Sequence, residues 1–129
     1  MWLDPKVAVG AIIPYKSGIV LVQRAIEPGL GKWTFPSGYV NRGEVVEDAL
    51  RRELLEECGI ECEIVGLVGV YSDTNNPVIF IVYEAKIISG EPKKNDEENF
   101  DIMIADFDNL PELAFSHDEN IILNWKKLV

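Results

Sequence analysis

The segment from Gly38 to Ile60, GYVNRGEVVEDALRRELLEECGI, constrains this chain more than any other. A glycine and a turn-prone loop lead into acids and aliphatics with neither Gly nor Pro between Glu44 and Gly59. That pattern predicts a loop feeding a helix over 45–58, with Gly59 ending it in the left-handed conformation. Glu53, Glu56 and Glu57 stand at i, i+3 and i+4, so their carboxylates share one face. Like charges at that spacing cost a helix about 0.2–0.5 kcal/mol per pair. Leu50, Leu54 and Cys58 run alongside in steps of four, so the acidic row borders the buried stripe. Carboxylates crowded beside a core call for a cation, and an all-oxygen set suits Mg²⁺ or Mn²⁺ better than zinc. Arg52 can reach Glu56 one turn on or swing back to Glu44. The plain alternative is a solvated acidic helix in a chain that is acidic throughout.

The whole string decides between these readings. Gly38, five residues, Glu44, seven residues, then Arg52-Glu53-Leu54-Leu55-Glu56-Glu57-Cys58-Gly59-Ile60 resembles the Nudix box, with every position the box specifies filled. The resemblance implies an α/β fold, an α/β/α sandwich whose mixed β-sheet lies between the box helix and a C-terminal helix. It also implies hydrolysis of a nucleoside diphosphate linked to another moiety, with Mg²⁺ as cofactor and Mn²⁺ able to substitute. By the same resemblance the metal ligands are Glu53, Glu56, Glu57 and the carbonyl of Gly38. Arg52 belongs to the catalytic set and Glu44 supports it. Ser37 stands where the family commonly has a second glycine, which bears on the backbone geometry near the metal.

The chain's 129 residues are enough for one core and too few for two, so residues 1–129 are expected to form a single domain. A net charge of −10 argues against binding a nucleic acid polymer, which needs a basic face, but not against a small nucleotide held through a metal. No apolar run approaches the roughly 20 residues of a membrane span, and Met1-Trp2-Leu3-Asp4-Pro5 lacks signal-peptide character. No membrane association and a cytoplasmic location are the expectations. Cys58 and Cys62 with a lone His117 supply too few soft ligands for zinc, and the two cysteines read as small, chemically idle residues.

Along the chain, 6–14 reads as a buried strand, and 19–25 as a second one pairing with it in a hairpin around the turn at 15–18. Residues 61–71 and 78–88 read as an antiparallel pair joined by the turn 72–77, the later strand being central. Asp73, Asn75 and Glu84 fall at calcium-loop offsets, but Pro77 and Val78 exclude an EF-hand. Residues 89–99, SGEPKKNDEEN, read as a solvated loop before a short strand at 100–105. Ser116 is a plausible N-cap for a helix running to about 127 with Ile121, Ile122, Trp125 and Leu128 on its apolar face, and His117 reads as a solvated residue at its start.

The resemblance adds three substrate-binding candidates. Arg24, at a strand end, corresponds to an arginine that faces substrate phosphates in similar proteins, although such a position is more often a solvated tip. Trp33 and Tyr39 can stack on a base, although large aromatics beside a sheet are more often core. Related enzymes place a glutamate from the polar loop over the metal cluster, and Glu98 occupies that place, with Glu97 the near alternative. As a carboxylate outside the ligand set, Glu98 is the candidate general base, with Glu56 next in line. The reading between Trp33 and Val40 and between Leu110 and Phe115 is closest to ADP-ribose pyrophosphatase-like members. A MutT-type triphosphate pyrophosphohydrolase is the alternative. A non-catalytic nucleotide sensor is expected to lose box acids, and all are kept here. Base and sugar contacts in such enzymes often involve a second subunit, so a homodimer is compatible with this reading.

Overall fold

The computed structural model describes residues 4–128. A mixed four-stranded sheet has the order β5-β1-β7-β6, with β1 at Lys6–Ile12, β5 at Ser37–Tyr39, β6 at Glu61–Tyr71 and β7 at Val78–Ser89. β1 runs parallel to β7 and antiparallel to β5, while β6 and β7 are antiparallel, as expected for 61–71 and 78–88. A second sheet joins β2 (Pro14–Tyr15), β3 (Gly18–Arg24) and β4 (Trp33–Thr34), with β8 (Asn99–Asp106) pairing antiparallel along β3.

The expected hairpin forms only as a short one at its turn, where Pro14–Tyr15 pairs with Gly18–Ile19 and Val20 N–H meets the Ile13 carbonyl, and not along β1. β3 pairs with β2, β4 and β8, whereas β1 is inserted between β5 and β7. Pro14 has no N–H to continue a ladder, and Lys16 adopts φ 54 in the turn, so the chain leaves β1 before reversing. Val9, Ala11, Ile12 and Ile13 are fully buried, and a continuous apolar run of this kind suits a strand covered on both faces.

Alternate residues of β1 and β3 feed two cores. Val9, Ala11, Val20 and Val22 pack with Leu50, Leu54, Cys58 and Ile60 on one side. Ile12, Ile19 and Leu21 pack with Phe35, Phe80, Ile121, Ile122 and Trp125 on the other. The first core lies under α1 (Val46–Cys58), the second under α2 (Asp118–Leu128), which gives the three-layer sandwich. Both cysteines are free and buried, and burial pushes their thiols up, Cys62 to about 11.

α1 ends as its sequence predicts. Gly59 sits at φ 68 and its N–H reaches the carbonyl of Leu55. The polar stretch before β8 is not simply solvated. Lys93 N–H and Asn95 N–H bond the carbonyls of Cys58 and Glu57, each at 3.0 Å, and the Asn95 side chain reaches the Leu55 carbonyl at 3.2 Å. The loop therefore caps the last turn of α1, supplying partners for carbonyls that a helix end leaves bare.

α2 begins one residue later than a cap at Ser116 would give, and Ser116 is not its cap. The carboxylate of Asp118 instead accepts the Phe115 N–H at 3.2 Å and the Thr34 hydroxyl at 3.0 Å, tying the helix start to β4. At the other end the Trp125 indole N–H donates to Glu84 at 2.7 Å. No helix among the described residues is long and apolar enough to cross a membrane.

Candidate active site

Between the two sheets opens a cleft of about 620 Å³, within the range of small-ligand sites. Glu53, Glu56, Asp96 and Glu98 gather toward one end; Tyr71, Phe80, Phe115 and His117 line another part of it.

Arg52 organises the acidic end. Its Nε and Nη2 donate to the two oxygens of Glu44 at 2.9 and 3.0 Å, a two-point pairing that fixes the guanidinium plane. Nη1 donates to Glu53 at 2.8 Å and to Glu56 at 3.4 Å, and Nη2 also meets the Tyr39 carbonyl at 3.1 Å. Both partners expected from the spacing are thus engaged at once. Glu44 further accepts the Asn41 N–H at 3.0 Å, so one carboxylate ties the loop before α1 to the helix. The hydrogen bonds from Arg52 and then Asn41 hold the Glu44 carboxyl below its ordinary range.

Gly38 packs directly on Glu53. A Cβ at position 38 would stand 2.0 Å from the Glu53 carboxyl carbon, so only glycine permits this approach of strand to helix. Burial raises the Glu53 pKa, Arg52 opposes that, and the charges of Glu56 and Glu98 raise it further. Glu57 is only 4% exposed and does not itself line the cleft. Its oxygens accept the Ser37 N–H at 3.1 Å and the Asn99 amide at 2.9 Å. Burial pushes Glu57 up to about 8, with the charges of Asp96 and Glu53 adding to the shift.

Glu98 lines the cleft, whereas Glu97 is not among the lining residues. The Glu98 carbonyl accepts the Ala25 N–H at 3.0 Å, so its backbone is held to the end of β3 rather than free. Arg24 lines the cleft, with its guanidinium 5.3 Å from the Phe115 ring centre and its Nε donating to the Pro28 carbonyl. Tyr39 lines it too and is half exposed. Trp33 does not: it packs against the core beneath α2, and its backbone bonds Glu112 and Ala114.

Four features escape a reading of the sequence. Asp96 and Asn99 face Glu57 because the loop caps α1, a tertiary contact without a linear signature. Ser37 contributes its N–H, which any residue but proline supplies. His117 is not a solvated helix start. Its side chain is one quarter exposed and its Nδ1 lies 3.5 Å from Asp73. Its ring lies 6.0 to 6.3 Å from those of Tyr71, Phe80 and Phe115.

The acidic end fits a hard divalent cation. Its donors are all oxygens, Gly38 brings backbone against Glu53, and burial together with mutual repulsion raises two of the carboxyls, a cost that a cation would remove. Among the described residues no three acids are already converged as a ready cage.

Comparisons with known proteins agree with this geometry. The NUDIX domain family model matches residues 4–125. An ADP-ribose pyrophosphatase of Methanocaldococcus jannaschii is 39% identical, over 98% of this chain and 78% of its own. A MutT NUDIX hydrolase from Burkholderia pseudomallei superposes with a TM-score of 0.85 at 30% identity, covering 95% of this chain and 98% of that one. A NUDIX hydrolase from Nitrosomonas europaea gives a TM-score of 0.86 at 28% identity, covering 95% and 70%. Nudix hydrolases generally use divalent metal ions. A family match over nearly all the described residues, joined to a relative of that similarity, makes this chain a member of the NUDIX family and a pyrophosphohydrolase.

Proposed function

We propose that the enzyme hydrolyses the diphosphate of an ADP-ribose-like or nucleotide-sugar-like substrate with Mg²⁺, releasing a nucleoside monophosphate and a phosphorylated partner. The observation that carries this reading is the acidic cluster that Arg52 holds at one end of a nucleotide-sized cleft. The similarity to an ADP-ribose pyrophosphatase along almost the whole chain supports the choice of substrate.

Glu53, Glu56 and Glu57 would hold the metal, with the carbonyl of Gly38. When bound, Mg²⁺ neutralises diphosphate oxygens and lowers the pKa of water. Arg52 fixes Glu53 and Glu56 by hydrogen bonds while Glu44 fixes Arg52. Arg24 offers its guanidinium to a phosphate, and Tyr39 borders the same opening. Glu98 takes a proton from the attacking water as a new P–O bond forms, and the bridging oxygen leaves with the other phosphate.

The test is a panel of nucleotides with Mg²⁺, scored by product. AMP and ribose 5-phosphate from ADP-ribose are the expected result. Pyrophosphate released from nucleoside triphosphates, with ADP-ribose untouched, would replace this reading by the MutT-type one.

A further inference from the structure

Glu57 is tied at both its backbone and its side chain, and the run from Asn95 to Asn99 supplies a tie of each kind. Its carbonyl accepts the Asn95 N–H at 3.0 Å, and its Oε2 accepts the Asn99 amide at 2.9 Å. The same amide nitrogen also donates to Asp96 Oδ1 at 3.2 Å, so Nδ2 stands between two carboxyl groups. Acceptors on both sides call for a donor, which fixes the nitrogen end of the amide toward them. The ladder between β3 and β8 passes from Gln23–Asp101 to Arg24–Asn99 and skips Phe100. A bulge of that kind re-aims the side chains beside it. Asn99 is buried, although Asp101 in the same strand is exposed.

We propose that Asn99 is a positioning residue for metal binding: its amide aims Glu57 at the cation and keeps Asp96 from turning it away. The inference rests on the reading above in taking Glu57 as a ligand. The Ser37 N–H on Oε1 and the Asn99 amide on Oε2 engage each oxygen once, and a carboxylate oxygen has a second acceptor direction left for a cation. Glu57 does not line the cleft itself, but Ser37 and Asp96 beside it do. The charge of Asp96 acts on Glu57, and without the amide the two would meet with no donor between them. Asn99 thus serves Glu57 as Arg52 serves Glu53 and Glu56. It does so as a neutral donor, which leaves the negative charge of the cluster to the metal.

Mn²⁺ binding to the substrate-free protein, followed by the electron paramagnetic resonance of the unbound ion, tests this without turnover. Asn99→Leu, close in size but without a donor, should weaken Mn²⁺ binding about 10- to 100-fold. Asn99→Gln, which keeps both N–H donors on a longer arm, should lose less and so separates a missing donor from a damaged fold. In turnover, Asn99→Leu should need correspondingly more Mg²⁺ for half-maximal rate, with kcat at saturating Mg²⁺ within about threefold of wild type. A residue that only shapes the loop would lower kcat at every Mg²⁺ concentration. Unchanged or tighter Mn²⁺ binding in Asn99→Leu, equal losses in Asn99→Leu and Asn99→Gln, or a loss of kcat that saturating Mg²⁺ does not restore would overturn the proposal. Glu57→Gln tells its failure from that of the ligand set. If Glu57→Gln binds Mn²⁺ as the wild type does, the ligand assignment falls and this proposal with it. If Glu57→Gln loses Mn²⁺ while Asn99→Leu keeps it, this proposal alone falls.

Discussion

Glu57 is a carboxyl with two hydrogen bonds, almost no exposure and negative neighbours, and its pKa is raised from 4.5 to about 8. Between those values the unfolded chain has lost the proton while the folded chain keeps it. Stability of the metal-free protein should therefore fall as pH rises from about 5 to about 8. At about 1.4 kcal/mol per pKa unit, the contribution is on the order of a few kcal/mol. Glu57→Gln should flatten that slope in melts with a chelator, and the same variant should lose most activity with Mg²⁺. A slope as steep as wild type would remove the assignment. Glu56, more than half exposed, gives a cleaner test of ligation: Glu56→Gln should cut kcat severely and leave the metal-free melting temperature nearly unchanged. For Glu98→Gln, loss of the general base should lower kcat by about 10²–10⁴ with little change in KM. The deficit should shrink at high pH, where hydroxide replaces the base. Glu97→Gln should behave as wild type.

At the scale of elements, α1 is positioned by contacts at its middle and at its C-terminal end. At its midpoint, Arg52 joins Glu44, Glu53 and the Tyr39 carbonyl, linking helix, preceding loop and β5. Arg52→Ala should raise the Mg²⁺ concentration for half-maximal rate, and Glu44→Gln should do so more mildly. An unchanged activation curve would reduce Arg52 to a structural residue. Gly38→Ala should be the more damaging change, since its methyl would occupy the space of the Glu53 carboxyl. A large loss of activity together with a lower melting temperature is expected. At the C-terminal end, the loop that caps α1 brings Asp96, Glu98 and Asn99 to the same face. Capping is thus what turns a polar connection into part of the site.

At the scale of the whole molecule, the cleft exists because two sheets, α1 and the approach to α2 meet along it. Thr34 and Asp118 join β4 to the start of α2 by a buried hydrogen bond of 3.0 Å. Burial raises Asp118 to about 6, and one of its oxygens, Oδ1, is buried without a partner. Thr34→Val would take a donor from a carboxylate that has few, at a cost of about 1–3 kcal/mol. Chemical denaturation should show that loss as a lower midpoint with the denaturant slope unchanged.

The box helix, its left-handed glycine stop and the strands at 61–71 and 78–88 were legible in sequence because each is written in local periodicity and turn chemistry. So was the shared face of Glu53, Glu56 and Glu57, since a helix repeats every 3.6 residues wherever it lies. The place of β1 was not, because pairing between strands depends on which partner buries both of its faces, and β7 lies more than sixty residues away. The same limit hid His117, which reads as a polar residue at a helix start and becomes one wall of the cleft only when Tyr71, Phe80 and Phe115 close around it. Spacing along the chain determined which carboxylates stand together on α1. Packing between distant segments decided that Glu57 is buried and Glu56 open, because exposure depends on what the rest of the chain lays over each side chain.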